Sequence, residues 1–534
     1  MSSSRICGCC VCPAHAEQLL GKDGGAHWSQ PAREHLESVV TWLDGSQAMS
    51  TGHGELEVGL QADMREQCRL LLQGHLDERA EREPRRSGVT GSDEVPRPRV
   101  EDGHTRGLVS VFGPVTVTRK AYRATPVRPG EHAGTVPEAG VTKTAGNLYP
   151  ADAVANLPVG RHSAGLARLA SVEAARGSFD DAQAAIERAT GVRVGKRQVE
   201  DLAAVVAVDV DAFYAARRPQ PCPEQALVLQ ADGKGIVMRP DGLRPATAAQ
   251  AAKTSAKLAT RLSPGEKRGR KRMAEIVAVY DLNPSPRTVE DIIPASRQSR
   301  PARRETPTTS GKWLTASVTD DIPAVIGSMF DEAERRDPAH ERTWIALVDG
   351  NRQQIDAITA EATSRTVTVT ILVDFVHVLE YVWKAAWTFF YPGDPDAEAW
   401  VADHARTILA GRAVDAVATI AHQADAGGFR GNERTGADEA VAYLTNKAPY
   451  LDYATALAEG WPIATGVIEG ACRYLVKDRM DITGARWSLH GAEAILKLRA
   501  LITNGHFNQY WDFHQQQQLR RNHLNRYKEL DLAA

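Results

Sequence analysis

The chain has 534 residues, enough for about three globular domains, and 43% of them are hydrophobic. Its net charge of −3 excludes a basic field over the whole molecule, so any binding of nucleic acid must depend on local basic patches. The first residues lack the charged and apolar regions of a signal peptide, and no apolar run reaches about 18 residues. We therefore expect a cytoplasmic protein with no membrane partner.

The N-terminus is rich in cysteine. Cys7, Cys9, Cys10 and Cys12 stand near His15, and no matching set of cysteines follows later in the chain. This distribution excludes a disulfide framework. The cysteines are also too closely spaced for the ordinary pairs of structural zinc sites, so we expect no metal there.

Two small regions and a linker are predicted before the first helical domain. Residues 1–76 form an N-terminal helical region, in which Leu60 and Met64 recur at helical spacing. Residues 77–107 are rich in Pro, Arg and Gly, a composition typical of a flexible linker. Residues 108–150 contain LVSVFGPVTVTRKAYRA, whose alternation of apolar and polar residues predicts a β-hairpin in a small α+β module.

Residues 151–218 are predicted to form a helical, DNA-binding region. In FDDAQAAIERATGVRVGKRQVEDLAAVV a first helix ends near Gly191, and a second helix opens with Lys196, Arg197 and Gln198. In a helix-turn-helix these three side chains would face DNA from the start of the recognition helix. An ordinary helical hairpin with solvated basic side chains has the same pattern, and the sequence does not separate the two interpretations.

Strands alternate with helices after this region. The runs EQALVLQADGKGIVMR, MAEIVAVYDLN, RTWIALVDGN and VTVTILVDFVHVL are apolar and β-prone, and amphipathic helices separate the later runs. This order favours an α/β fold with a ribonuclease-H-like catalytic core, in which antiparallel strands are joined by parallel ones in a sheet flanked by helices. The core is predicted over 225–377 and 461–527, with a loop insertion at 295–311 and a helical insertion at 378–460.

Three acids mark these elements: Asp232 in LQADGKG, Asp349 in ALVDGN and Glu469 in GVIEG. The strands of Asp232 and Asp349 would be neighbours in such a sheet, and Glu469 would arrive on a later helix. Carboxylates bind Mg²⁺, and two ions held about 3.5–4 Å apart support phosphoryl transfer. A single Asp-Gly pair more often marks a turn after a strand, but the ordered trio favours a metal site.

The sequence resembles the ISKra-type DDE transposases of prokaryotic insertion sequences, which are distantly similar to the Mutator-like superfamily. The resemblance covers about residues 150–527 and is strongest in LQADGKGIVMRPDGLRPAT, TWIALVDGN, VDFVHVLEYVWKAAW and WPIATGVIEGACRYLVKDRMDITGARWSLHGAEAILKLRAL. It implies an enzyme of DNA transposition that cleaves and transfers strands at the ends of a mobile element. The implied partners are double-stranded DNA, in the terminal inverted repeats and the target, and further copies of the chain in a homo-oligomer.

The same resemblance implies site residues. Asp232, Asp349 and Glu469 would be the catalytic triad and the ligands of two Mg²⁺ or Mn²⁺ ions. VDFVH matches an Asp-x-x-His motif, so Asp374 and His377 are further catalytic candidates. Asp374 also competes with Asp349 for the second acid position, which strand order assigns to Asp349. The alternative roles are a local cap or salt bridge for Asp374 and a structural role for His377.

A basic cluster precedes the second strand run. It lies in GEKRGRKR and could neutralise several DNA phosphates in a salt-sensitive way. Its members are Lys267, Arg268, Arg270, Lys271 and Arg272. The alternative is a solvated charged loop.

Further cations follow Glu469. On an α-helix Arg473 and Lys477 would share its face through i, i+4 and i+8 spacing, and so flank the cleavage site on DNA. A buried salt bridge of Glu469 would give the same pattern. Trp487 could stack on an unpaired base, although an aromatic side chain in such surroundings is more often part of a core.

Two other functions remain open from the sequence. One is a ribonuclease-H-like nuclease without strand transfer. The other is a catalytically inactive helix-turn-helix DNA-binding protein, which would keep the basic patches without needing all three acids. The presence of all three acids argues against the second alternative.

Overall fold

The structure is a computed structural model that describes residues 27–125, 146–219, 222, 226–253, 262–294, 307–482 and 484–530. The N-terminal cysteines and His15 lie outside the described residues. The chain divides into two compact units, one drawn from Met1–Leu202 with Trp511–Ala534 and the other from Ala203–Tyr510.

The first unit combines helices with one antiparallel hairpin. Its helices and strands in chain order are α1 (Gln30–Leu43), α2 (Ser46–Ser50), α3 (His53–Glu81), β1 (Arg99–Ser110), β2 (Gly113–Arg123), α4 (Pro150–Val154), α5 (Ala164–Arg176), α6 (Phe179–Thr190) and α7 (Lys196–Ala207), the last of which runs across the boundary into the second unit.

The predicted hairpin is confirmed, but its extent differs from the prediction. Strand β1 begins at Arg99, and α3 continues to Glu81, so the flexible linker predicted over 77–107 is wrong at both ends. The polar residues between α3 and β1 are also held by contacts. The buried Arg97 side chain pairs with Asp93 (Nη2 to Oδ2, 2.7 Å), and the hydroxyl of Tyr122 accepts a hydrogen bond from the backbone N–H of Arg86 (2.8 Å).

The C-terminal segment packs within the first unit. The backbone N–H of Lys528 donates to Thr90 O (3.0 Å), and the buried imidazole of His523 lies 2.8 Å from Leu157 O. The region predicted over 461–527 is therefore not one unit, because the residues after Tyr510 belong to the first unit.

The described residues of the second unit contain five strands and most of the helices. Its strands are β3 (Ala226–Val237), β4 (Lys271–Asn283), β5 (Thr308–Ser317), β6 (Trp344–Val348) and β7 (Val369–Val373). Its helices are α8 (Val210–Ala216), α9 (Pro245–Ala252), α10 (Pro264–Arg268), α11 (Val289–Ile292), α12 (Ile322–Arg336), α13 (Arg352–Ser364), α14 (Phe375–Phe389), α15 (Pro395–Leu409), α16 (Ala413–Ala426), α17 (Thr435–Lys447), α18 (Tyr453–Ala458), α19 (Gly466–Ala471), α20 (Asp478–Met480), α21 (Leu489–Thr503) and α22 (Phe507–Asn522), which ends in the first unit.

The five strands form one mixed sheet in the order β5-β4-β3-β6-β7. Strands β3, β4 and β5 are antiparallel neighbours, whereas β6 and β7 run parallel to β3. The protein is therefore a mixed α/β protein, as its sequence predicts. Strand β5 was missed by the prediction, which placed residues 308–311 in a loop insertion.

Helices cover both faces of this sheet. Ile345 and Leu347 belong to a large apolar core shared with α14 to α18, while the ring of Trp344 contacts Phe330 of α12. Because successive side chains of a strand point to opposite faces, α12 lies on the face away from α14. Within the described ranges, no helix has the length and apolarity needed to cross a lipid bilayer.

Candidate active site at the centre of the sheet

Asp232 and Asp349 lie on neighbouring parallel strands at the same level. The register of β3 and β6 pairs Ala231 with Val348, and each aspartate is the residue that follows this pair in the chain. Neighbouring strands are about 4.8 Å apart, so the two side chains start close together. Strand β6 ends before Asp349, but Asp232 lies inside β3, which continues to Val237 through its pairing with β4. The Asp-Gly pair at Asp232 therefore marks no turn after the strand.

A tight turn orients Asp349. Its Oδ1 accepts a hydrogen bond from the backbone N–H of Asn351 at 2.8 Å, and Gly350 adopts a φ of +94°. A Cβ atom at Gly350 would lie 3.0 Å from the hydroxyl oxygen of Tyr443, which itself donates to Asp349 O at 3.4 Å. The turn therefore requires glycine and is braced by α17.

The helix that carries Glu469 is anchored to the sheet. The backbone N–H of Ile468, in the first turn of α19, donates to Oε1 of the buried Gln230 on β3 (2.9 Å). One turn after Glu469, the thiol of Cys472 donates to Asp232 Oδ2 (3.1 Å). These two contacts fix α19 and the residue that follows it over the strand of Asp232. The sequence contained no signal for either contact.

Asp374 has a structural role. It is the N-cap of α14, where its Oδ1 accepts from the N–H of Val376 (2.6 Å). Its Oδ2 accepts from both the N–H (2.9 Å) and the hydroxyl of Thr465, which precedes α19. Asp374 is buried, and protein donors engage both carboxylate oxygens, so it holds the start of the Glu469 helix. The capping alternative considered from the sequence is the arrangement found.

His377 is partly exposed on α14. Its Nδ1 lies 3.4 Å from Glu380 Oε2, a residue one turn further along the same helix. This contact belongs to the helix surface, so it does not bring the imidazole to the acids.

A fourth carboxylate, Glu275, was missed by the sequence analysis. It lies on β4 opposite Gly233, is buried, and accepts a hydrogen bond from Gln354 Nε2 at 2.5 Å. Burial, with the negative charges of Asp232 and Asp349, raises the pKa of Glu275 to about 8. The signal available in the sequence was an acid near the start of the apolar strand run MAEIVAVYDLN. The field of the two aspartates therefore extends to this strand.

Glu469 itself is exposed and makes no ion pair with any cation of the described residues. The buried salt bridge considered from the sequence is thus not formed by this side chain. Within the described residues, no three His, Cys, Asp or Glu side chains stand close enough together to hold a metal ion. Asp232 and Asp349 are neighbours, and Glu469 stands on the helix anchored beside them without completing a ligand set.

The basic cluster of residues 267–272 divides into exposed and anchored members. Arg268 and Lys271 are exposed, and Lys267 and Arg270 are partly exposed. Arg272 instead donates to three backbone carbonyls, among them Val318 O at 2.7 Å from its Nε. The prediction that Arg272 is free for DNA phosphates was therefore wrong, because its guanidinium ties β4 to neighbouring loops.

The cations after Glu469 do not lie on a regular α-helix. Residues Cys472–Lys477 form a π-helical turn, which is closed by i→i+5 hydrogen bonds and has more residues per turn. The predicted alignment of Arg473 and Lys477 with Glu469 assumed 3.6 residues per turn, so it was wrong over this stretch. Both side chains are exposed, and Arg473 lies 3.7 Å from Asp478 (Nε to Oδ1).

Trp487 is a core residue, only 4% exposed. Its indole N–H donates to Met480 O (3.0 Å), and the guanidinium of Arg479 lies 4.6 Å from the ring centroid. The prediction that Trp487 stacks on a DNA base was wrong, because the ring has no accessible face.

The predicted helix-turn-helix residues lie in the first unit, at the start of α7. Gly191 ends α6 in the left-handed conformation, with φ +70°, as a helix C-terminus often does. Lys196 pairs with Asp180, and Arg197 lies 3.2 Å from Asp201 (Nε to Oδ1), while Gln198 Oε1 accepts from Gly195 N–H at 3.2 Å. Both basic side chains are exposed and their ion pairs are surface pairs, so both cations remain accessible to a partner.

No protein-family model matches the chain, and no curated protein is similar to it.

Proposed function

We propose that this protein is a DDE transposase that cleaves the ends of an insertion sequence and transfers them to target DNA. The observation that carries the proposal is the pairing of two aspartates on adjacent strands, with the helix of a third acid attached to one of those strands. Asp232 and Asp349 are adjacent by strand register, and α19, which carries Glu469, is hydrogen-bonded to the strand of Asp232. Turn aspartates present by chance would have no reason to lie under a helix that carries another acid more than a hundred residues later.

The sheet supports a ribonuclease-H-like core. Such a core was expected to pair its first strand with antiparallel neighbours and to add later strands in parallel. The strand order β5-β4-β3-β6-β7, with the first strand at the centre, has these properties. It also puts the two aspartates on neighbouring strands, at the same level of the sheet, where ligands commonly bind α/β proteins.

Mg²⁺ or Mn²⁺ would be held by Asp232, Asp349 and Glu469. The donor chemistry fits, because hard divalent cations prefer carboxylate oxygens. The charge fits as well, since Asp232 and Asp349 add to the effect of burial in raising the pKa of the neighbouring Glu275. When bound, such ions activate a nucleophilic oxygen and stabilise a leaving oxygen in phosphoryl transfer. The exposed Glu469 side chain must turn toward the aspartates to complete the set.

Other residues of the chain bind the DNA and hold the acids in position. Exposed basic side chains of the 267–272 cluster bind the phosphates that flank the scissile bond, and the start of α7 binds the element end. Gln230, Asp374 and Cys472 hold the strand and helix that carry the acids. Water is the nucleophile that cleaves the element end, and the 3′-hydroxyl released by cleavage attacks a phosphodiester of the target.

Cleavage of labelled element ends tests this proposal. The duplex should carry the terminal repeats taken from DNA that flanks the coding sequence, and the reaction should contain Mg²⁺ or Mn²⁺. We expect cuts at the repeat ends by the unaltered protein and none by Asp349→Asn, which keeps the size of the side chain and removes its charge. Unaltered protein that binds the ends and never cuts them would favour the inactive DNA-binding alternative.

A supercoiled target plasmid in the same reaction separates transposase from nuclease. A transposase joins the labelled end to the plasmid, so label appears in plasmid-sized DNA. A nuclease of the same fold releases cut ends and leaves the plasmid unlabelled, which would contradict strand transfer.

A further inference from the structure

The helix that carries Glu469 changes geometry immediately after it. Residues Cys472–Lys477 form the π-helical turn, a conformation that is rare and frequent at functional sites. Such a turn leaves backbone carbonyls without regular helical partners. Arg499 of α21 supplies donors to them, through hydrogen bonds to Tyr474 O and to Leu475 O (3.1 Å). The irregular turn is therefore held by a side chain from another helix.

The first residue of this turn contacts a proposed catalytic acid. Cys472 is buried, and its thiol donates to Asp232 Oδ2 at 3.1 Å, across 240 positions of sequence. Glu469 precedes Cys472 by three residues, so both lie on the same face of the helix. One hydrogen bond thus links the helix of the third acid to the first acid.

We propose that Cys472 is a positioning residue that orients the Asp232 carboxylate and holds Glu469 beside it, with Arg499 setting the turn that presents the thiol. The inference rests on the proposed function, since it concerns the same acids. It assigns Cys472 no contact with DNA and no chemical step.

The weakness of a thiol as a donor suits this role. A strong donor would compete with a metal ion for the charge of the carboxylate, whereas a thiol turns the carboxylate and competes little. Serine at position 472 keeps a donor of similar size, and alanine removes it. The two substitutions therefore separate hydrogen bonding from packing.

Binding of Mn²⁺ alone, followed by the paramagnetic signal of the free ion, tests the inference without relying on catalysis. The full chain should be compared with Cys472→Ala, Cys472→Ser and Asp232→Asn. Cys68→Ala is the matched control, because it removes a half-buried thiol from α3, in the other unit. We expect Mn²⁺ binding about fivefold weaker in Cys472→Ala, the factor for one neutral hydrogen bond, and within about twofold of the original in Cys472→Ser.

Each outcome has a defined meaning. Loss of Mn²⁺ binding in Asp232→Asn with unchanged binding in Cys472→Ala would overturn the positioning role alone. Equal losses in the serine and alanine variants would also overturn it, because the hydrogen bond would then not be the cause. Unchanged binding in Asp232→Asn would overturn the proposed metal site and this inference with it.

The Arg499→Lys variant is a second test of the inference, because it leaves both acids and the thiol in place. Lysine keeps the charge but lacks the fork of donors that serves two carbonyls. We expect Mn²⁺ binding to weaken two- to fivefold, about the effect of one lost hydrogen bond, and a melting curve that still shows one folded state. Unaltered Mn²⁺ binding would show that Arg499 does not help Cys472 to position Asp232.

Discussion

Replacement of Glu275 by glutamine should remove a pH dependence of stability that arises from the burial of this carboxyl group and from the charges of Asp232 and Asp349. Glu275 is buried beside Asp232 and Asp349, and its pKa in the folded protein is about 8, against 4.5 as its ordinary value. Between these two values the folded state holds a proton that the unfolded state releases. The unfolding free energy therefore falls as pH rises from about 4.5 to about 8.

The magnitude follows from linkage. One proton taken up on folding changes the unfolding free energy by about 1.4 kcal/mol per pH unit. Between about pH 5.5 and 7.5, this single group should thus cost up to about 2.7 kcal/mol of stability. Glutamine resembles the protonated form and can still accept the hydrogen bond from Gln354, so the variant should lack this contribution.

Urea unfolding of both proteins across this pH range measures the effect. Other groups titrate in the same window, but they are common to both proteins, so the difference between the two stability curves isolates Glu275. The variant should gain stability relative to the original protein as pH rises. Parallel curves would refute the conclusion that Glu275 is protonated in the folded state and that the field of the two aspartates reaches it.

Three further variants probe other parts of the molecule. Asp374→Asn places an amide donor against the buried Thr465 N–H. It should therefore lower the unfolding free energy by about 1–3 kcal/mol in urea titrations. A change below about 0.5 kcal/mol would contradict the anchoring role. Lys196→Ala with Arg197→Ala should weaken binding to element ends at least about tenfold in gel-shift titrations. The melting temperature should stay nearly unchanged, because both side chains are exposed. Unchanged end binding would contradict the helix-turn-helix assignment. Lys267→Ala with Arg268→Ala should lower the salt slope of DNA binding by about 2, and an unaltered slope would exclude this cluster from phosphate contacts.

Local sequence patterns predicted the elements whose secondary structure depends mainly on their own residues. The apolar runs around Asp232 and Asp349 form strands β3 and β6, as predicted, because each run is bounded by residues that favour turns. Strand β5 was missed because TTSGKWLTAS is largely polar and follows a segment rich in proline and arginine. Its extended state depends on pairing with β4, which a local pattern does not contain.

The candidate site was predictable only in part. Acids at the ends of strands are visible in a sequence, but the contacts that orient them are not. Gln230 meets Ile468, and Cys472 meets Asp232, across about half of the chain. Trp487 failed as a DNA-binding candidate for the related reason that its burial depends on packing against distant residues such as Met238.

Cleavage by Glu469→Gln tests the central claim most directly. Glutamine keeps the shape and hydrogen-bonding capacity of the side chain and removes the charge that would hold a hard cation. Labelled element ends should be bound as tightly as by the original protein, whereas cleavage and strand transfer in Mg²⁺ should both fall to background. A Glu469→Gln protein that binds and cuts the ends at the original rate would contradict the proposal that Glu469 is the third acid of the site.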